Sequence, residues 1–146
     1  MLRIILVTVL LASSAIATNF TLCTDGGAPP ITVTVTGCAE PPCNFASGAN
    51  ISITVTFTVV KAVTILLPHA LATVLGLTIE YNLNQPDACK QLIGSNCPLG
   101  QGMSATYQMS MQIPKVMFKV IFVLKFFLVD QSGERVTCFQ LNGVVS

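Results

Sequence analysis

Charged residues are scarce in this chain: they make up 9% of its 146 residues, whereas hydrophobic residues make up 52%. Nucleic-acid binding needs clustered positive charge, which such a chain does not offer. The sequence also has a single histidine, His69, and no pair of cysteines with the CxxC spacing of zinc sites. It therefore predicts no nucleic-acid partner, no metal and no cofactor.

Residues suited to catalysis are equally few. No G-x-S-x-G nucleophile motif is present, and the acidic residues are scattered through predicted turns and outer strand faces. To act in catalysis, His69 would need an acidic or nucleophilic partner, and the sequence identifies none. We therefore do not expect an enzyme.

The N-terminus has the layout of a secretory signal peptide. Arg3 is followed by the apolar run IILVTVLLA and then by a small-residue site, Ala15-Ile16-Ala17. This layout predicts that residues 1–17 are a leader and that residues 18–146 form one mature domain. Loss of Arg3 leaves six basic and six acidic residues, a net charge of zero. The expected location is extracellular, with the lysosome as the alternative.

The cysteines agree with an oxidising compartment, because six of them behind a leader predict three disulfides. Spacing alone permits many pairings, although the segments Cys38–Cys43 and Cys89–Cys97 are each short enough for a small closed loop. A Cys23–Cys138 bridge would then join the two ends of the domain. Two predicted glycosylation sequons, at Asn19 and Asn50, fit the same compartment.

The stretch Val116–Val129 is rich in β-branched and aromatic residues, which favour a strand. A transmembrane span would need about 18–20 uninterrupted apolar residues, and an amphipathic helix would place its two lysines about 240° apart. As a strand, it carries Lys119 and Lys125 on one face. The other face is wholly apolar and consists of Val116, Phe118, Val120, Phe122, Leu124, Phe126 and Leu128. Such a strand covers either a packed core or a bound lipid.

Shorter alternating runs predict further strands. These runs are Ile31–Thr36, Ile51–Val59, Leu77–Leu83, Tyr107–Ile113 and Val136–Gln140. The segment His69–Gly76 is ambiguous: it could form a short helix, but Pro68 and Gly76 favour two short strands with a bend between them. About seven short strands separated by turns predict an all-β protein, an antiparallel β-sandwich.

Short motifs, most of them around cysteines, follow one another along the predicted mature chain: Gly37-Cys38-x4-Cys43, Val55-Thr56-Phe57, Pro86-Asp87-Ala88-Cys89, Asn96-Cys97-Pro98 and Cys138-Phe139. In this order they resemble the ML (MD-2-related lipid-recognition) domain family, in particular its Niemann-Pick type C2 branch with arthropod members. The resemblance implies an immunoglobulin-like β-sandwich whose sheets part at one end to hold a lipid. It also implies cysteine pairs that join first with last, second with third, and fourth with fifth.

The resemblance places the lipid-binding residues on apolar strand faces. Wall positions of the family correspond to Tyr81, Leu83 and Ile113, its rim aromatic to Met117, and a buried tryptophan to Phe126. The rim position here has no ring, and the family's proline-rich segment around Tyr81 is absent. Together with the predicted strand faces, these positions define the expected site: Phe57, Tyr81, Leu83, Met109, Ile113, Met117, Phe118, Val120, Phe122, Leu124 and Phe126.

For function, the resemblance implies a soluble, monomeric carrier without an enzymatic step. Such a carrier binds a sterol, cholesterol in the family, or another apolar lipid, and passes it to a membrane surface or a membrane sterol transporter. The alternative is an extracellular recognition protein that binds microbial lipids, fatty acids or semiochemicals in immunity or chemosensation. A secreted sandwich with a purely structural role is a third possibility.

Overall fold

A computed structural model describes residues 16–83 and 87–146 of the chain. Most of the predicted leader, residues 1–15, lies outside this range, and the cleavage site after Ala17 stays a prediction. Within the described residues, no helix is both long and apolar enough to cross a bilayer. The described part of the chain has one short 3-10 helix, Ala88–Gln91, and is otherwise built from strands and loops.

Ten strands make up the described fold, and three of them are only two or three residues long. In chain order they are β1 Thr21–Leu22, β2 Thr32–Val35, β3 Cys43–Phe45, β4 Asn50–Thr58, β5 Leu67–Val74, β6 Leu77–Tyr81, β7 Leu92–Ile93, β8 Ser104–Gln112, β9 Val120–Val129 and β10 Arg135–Val145. One sheet has the order β1-β10-β9-β5-β6, with β3 also beside β10, and the other has the order β2-β4-β8-β7. The predicted all-β sandwich of two sheets is confirmed, with short strands beyond the expected seven and one parallel pair, β3 with β10.

Strict alternation gives the most regular pairing in the second sheet. Strand β4 pairs along its whole length with β8, from Asn50 opposite Gln112 to Thr58 opposite Ser104. The isoleucine, valine and phenylalanine side chains of β4 are buried. Its outer face carries hydroxyls, and the Oγ1 atom of Thr56 lies 3.0 Å from the Oγ1 atom of Thr106. The sequence pattern was sufficient here because one face packs inward and the other meets water.

The long apolar strand is shorter than predicted. Strand β9 begins at Val120 rather than Val116, because its neighbour β10 ends at Val145, directly opposite Val120. Before that point the backbone N–H of Val116 donates to Ser47 Oγ at 2.8 Å, which replaces a bond to a neighbouring strand. The residues between Val116 and Val120 are therefore loop, and Phe118 does not lie on the strand face.

The ambiguous segment His69–Gly76 belongs to a β-hairpin. Strand β5 runs from Leu67 to Val74 and β6 starts at Leu77, so the helical alternative is wrong. The segment is extended, as the other alternative predicts, but it forms one continuous strand rather than two. The turn lies at Leu75 and Gly76, which have φ angles of 50° and 79°. Positive φ at both central residues is what a two-residue hairpin of the primed type requires.

The three expected disulfides are present. Their pairs are Cys23–Cys138, Cys38–Cys43 and Cys89–Cys97, which matches both the small-loop reading and the family pattern. The first bridge joins residues 115 positions apart and fixes the segment after β1 to the middle of β10. It therefore holds the start of the described domain against its last strand.

Asp130 organises the turn between β9 and β10. Its Oδ1 accepts from the Ser132 N–H at 2.9 Å, the Ser132 hydroxyl at 2.7 Å and the Glu134 N–H at 3.0 Å. Burial raises the pKa of the Asp130 carboxyl, but these hydrogen bonds outweigh the effect and hold the pKa below its ordinary value. The carboxylate is thus bound in its charged form.

Replacing Asp130 tests this turn. At pH 7 we expect Asp130→Asn to lower the free energy of unfolding by about 1–3 kcal/mol, because charge-assisted hydrogen bonds are weakened. The folded-state pKa is lowered, so the wild-type contribution is complete above the ordinary aspartate pKa of 3.8 and is lost as the pH falls towards the folded value. Urea titrations at neutral and acid pH measure both effects. If the difference in unfolding free energy between the wild type and Asp130→Asn does not become smaller in acid, the role assigned to the Asp130 carboxylate is contradicted.

Candidate functional site: an apolar cavity between the sheets

An aromatic cluster closes one end of the sandwich. Phe126 on β9 stacks on Tyr107 of the opposite sheet, with ring centroids 5.9 Å apart, and lies 5.5 Å from Phe139 on the neighbouring strand. Phe20 contacts Phe139 edge-on, with ring centroids 5.9 Å apart. Burial raises the pKa of Tyr107, so its hydroxyl stays protonated within this core. The two sheets are therefore in direct side-chain contact at this end.

At the opposite end the sheets part around a cavity of about 220 Å³. Its mouth lies where β9 begins, β8 and β10 end, and the β5–β6 hairpin turns. Both sheets and the β8–β9 loop contribute to the wall. The wall residues are Phe45, Ile51, Ala72, Val74, Ile79, Tyr81, Met111, Ile113, Pro114, Val116, Val120, Phe122, Leu124 and Val145.

Tyr81 carries the only side-chain oxygen or nitrogen among these wall residues. Its hydroxyl donates to the backbone carbonyl of Gln112 at 2.6 Å. This bond links the edge strand β6 of one sheet to the end of β8 in the other, so it spans the gap between the sheets. The wall offers no charged group and can recognise a ligand only by shape and apolar contact.

The structure brings together five residues of the predicted site in this wall: Tyr81, Ile113, Val120, Phe122 and Leu124. Sequence reasoning did not include the remaining nine. Some of them had a usable signal, since Ile51, Ile79 and Met111 share alternating faces with predicted residues. Others had none, because Ala72 and Val74 lie in the segment whose secondary structure was ambiguous.

The other six predicted residues lie outside the wall. Phe57, Met109 and Phe126 are fully buried in the core at the closed end, and Leu83 is half-buried against that core. Met117 and Phe118 lie in the loop before β9 with exposed fractions of 98% and 77%. Alternation identifies the face on which a side chain lies but not its position along the strand, which explains why core and cavity residues were grouped together.

Exposed apolar side chains surround the mouth, and we call this set the rim. It consists of Leu75, Leu77, Met117 and Phe118, each of which is more than two-thirds exposed. Leu75 and Met117 directly follow wall residues, Leu77 pairs with the wall residue Val74, and Phe118 follows Met117. Lys115 and Lys119 are exposed on either side of the two loop residues of the rim. The β8–β9 loop therefore presents two large apolar side chains between two cations.

His69 has an acidic partner that the sequence did not reveal. Its Nδ1 lies 2.7 Å from a carboxylate oxygen of Glu80, and its ring stacks on Phe127 with centroids 5.0 Å apart. The expectation that His69 lacks such a partner is therefore wrong, since the β5–β6 hairpin brings the two residues together. The pair lies on the outer face of its sheet, away from the cavity, because Phe127 alternates with the buried residues of β9.

The two sequons lie on the surface. Asn50 is exposed at the first position of β4, next to the wall residue Ile51. Asn19 is also exposed, and its side-chain amide donates to the Glu40 carboxylate. Glycan attachment at Asn19 and Asn50 stays a prediction.

A two-sheet β-sandwich that is closed at one end and holds an apolar cavity at the other is the class of protein defined by this fold and site. Residues 17–143 match the ML domain family, and the chain belongs to that family.

Comparison with known proteins gives relatives that share most of the chain. NPC intracellular cholesterol transporter 2 of Sus scrofa is 28% identical over 139 residues, which cover 90% of this chain and 88% of that protein. NPC intracellular cholesterol transporter 2 homolog a of Drosophila melanogaster is 26% identical over 111 residues, which cover 75% and 74% of the two chains. The crystal structure of a Niemann-Pick type C2 protein from Japanese carpenter ant superposes with a TM-score of 0.76 at 18% identity, covering 88% of this chain and 99% of that one. This last similarity establishes the fold.

Truncating one core residue and one wall residue tests whether the two ends of the sandwich differ in packing. We expect Phe126→Ala to lower the free energy of unfolding by about 3–5 kcal/mol, because it leaves a cavity in a filled core. Ile79→Ala should cost about 0.5 kcal/mol or less, since Ile79 is already 62% exposed beside the cavity. Chemical denaturation measures both values, and comparable losses in the two variants would refute this division.

Proposed function

We propose that the protein is a carrier, without an enzymatic step, that binds one sterol in this cavity and delivers it to a membrane surface or a membrane sterol transporter. It acts as a secreted or lysosomal monomer. The observation that carries the proposal is the cavity itself. The wall residues are apolar except for Tyr81, and the hydroxyl of Tyr81 already donates a hydrogen bond to the Gln112 carbonyl. Such a wall suits a ligand that is apolar over most of its surface.

Apolar contact is sufficient for useful affinity. At about 0.3 kcal/mol per non-hydrogen atom, a sterol of roughly 28 such atoms gains about 8 kcal/mol, which corresponds to a micromolar Kd. The cavity of about 220 Å³ is somewhat smaller than the range of about 300–1,000 Å³ common for ligand pockets. A ligand of sterol size therefore has to reach the open mouth, where its hydroxyl meets water.

The names of the relatives support a sterol as the ligand. Two relatives whose alignments cover 75% and 90% of this chain are named as a cholesterol transporter or its homologue. Their identities of 26% and 28% leave most wall positions free to differ. The choice of sterol over a fatty acid is therefore the part of the proposal that a binding experiment has to decide.

Delivery to a membrane is supported by the rim. A lipid that leaves the cavity through bulk water would lose its apolar contacts, whereas a mouth pressed against a bilayer keeps the lipid in an apolar environment. Met117 and Phe118 can enter the acyl boundary while Lys115 and Lys119 remain at the level of the headgroups. The same arrangement favours membranes that carry anionic lipids.

Filling the cavity tests ligand binding. Ala72 faces the cavity on β5, whereas the adjacent Leu71 faces outward, opposite Lys125 of β9. We expect Ala72→Phe to weaken binding of the fluorescent sterol dehydroergosterol by about tenfold or more, because the new ring occupies ligand space. Leu71→Phe is the matched control and should bind as the wild type does.

The same titration with the fluorescent fatty acid cis-parinaric acid decides between ligand classes. Sterol binding that Ala72→Phe removes and Leu71→Phe retains is the expected outcome. Binding of the fatty acid alone would replace the sterol in the proposal. Sterol binding that is insensitive to Ala72→Phe would reject the cavity as the site.

A charge on the rim tests delivery. Phe118→Asp should slow transfer of bound dehydroergosterol to vesicles of phosphatidylcholine and phosphatidylserine by about tenfold, because a carboxylate resists entry into the bilayer. Its equilibrium binding of the sterol should change much less than its transfer rate, since Phe118 lies outside the wall. Ile31→Asp is the control, because Ile31 is 57% exposed beside β2, far from the mouth. Equal transfer by both variants would remove the rim from the mechanism.

A further inference from the structure

Gly143 on β10 lies directly opposite Phe122 on β9, and the two residues share the inner face of the sheet. The phenyl ring leans across β10 and covers the glycine. A Cβ atom built on Gly143 would lie 2.4 Å from the Cζ atom at the tip of the ring and less than 3.0 Å from two further ring atoms. No other residue type at position 143 leaves the ring where it is.

The backbone does not require glycine at this position. Eight of the ten glycines have positive φ angles, and the exceptions are Gly100 and Gly143. Glycine weakens the interior of a strand, because it adds backbone freedom and no side chain to pack. The feature that distinguishes Gly143 is thus the close approach of the Phe122 ring.

The direction in which Phe122 would move is fixed by its neighbours. Phe45 stacks beside it with centroids 6.1 Å apart and interplanar angle 25°. Gly143 lies beneath the ring on the β10 side, and Phe122 also lines the cavity, whose wall on the other side of β9 includes Ala72 and Val74 of the neighbouring strand β5. A methyl group at position 143 would have to displace the ring by about 1 Å to restore an ordinary contact of 3.4 Å or more. The displaced ring would enter the cavity.

We propose that Gly143 and Phe122 together set the volume of the cavity and thereby the size of the lipid that it accepts. The statement about volume stands on the geometry alone, whereas the statement about lipid size rests on the proposed function. Gly143 acts by leaving room for the tip of the ring over β10, and Phe122 is the residue that contacts the ligand.

The experiment compares the wild type, Gly143→Ala, Phe122→Ala and the double variant Phe122→Ala/Gly143→Ala, with Gly100→Ala as the control glycine. Gly100 also lacks a positive φ angle, and its added Cβ would meet only Met103. Xenon binding followed by NMR reports cavity volume without reference to any lipid, and dehydroergosterol titration reports ligand size. We expect Gly143→Ala to bind xenon more weakly, because the displaced ring takes part of the cavity, and to bind the sterol about tenfold more weakly or worse.

Rescue by the double variant decides the mechanism. If the ring is the obstacle, Phe122→Ala/Gly143→Ala regains the xenon signal and the sterol affinity of Phe122→Ala, and Gly100→Ala behaves as the wild type. A Gly143→Ala variant with unchanged xenon binding would overturn the inference, as would a loss that the double variant does not repair. A wild type that binds xenon but neither dehydroergosterol nor cis-parinaric acid would instead reject the proposed function, and the xenon series would still test the volume.

Discussion

The contact of Phe126 with Tyr107 across the two sheets is the interaction on which the rest of the structure depends. It joins β9 of one sheet to β8 of the other at a position where both side chains are fully buried. Phe139 and Phe20 extend this contact to β10 and to the start of the described domain, which the Cys23–Cys138 bridge holds in place. With one end fixed in this way, the sheets can enclose a cavity at the other end while the sandwich as a whole stays together.

An unfilled apolar cavity costs stability, because the wall loses the contacts that a close-packed core would provide. The closed end and the disulfides supply the stability that the open end lacks. The exposed rim is a similar cost, since Met117 and Phe118 contribute little burial in the free protein. Both features reduce the stability of the free protein, and under the proposed function both gain a role when a lipid fills the cavity and a membrane covers the rim.

Sequence periodicity predicted the sheets well and the site in part. Strict alternation identified β4 and β8, because each has one buried and one solvated face. It could not separate Phe122 from Phe126, which share a face and differ only in which end of the sandwich they occupy. The start of β9 depends on where β10 ends, and the His69–Glu80 pair depends on hairpin register. Both depend on how strands pair with one another, which local sequence patterns do not show.

The cavity can be traced to a contrast along two strands. At the closed end β9 and β10 pair Phe126 with Phe139, and four positions further along they pair Phe122 with Gly143. In the first pair both rings stand between the sheets, with centroids 5.5 Å apart. In the second, one ring lies over a residue without a side chain. Small residues opposite large ones let a ring fold onto its own sheet, and the space that it leaves is the space that a lipid can fill.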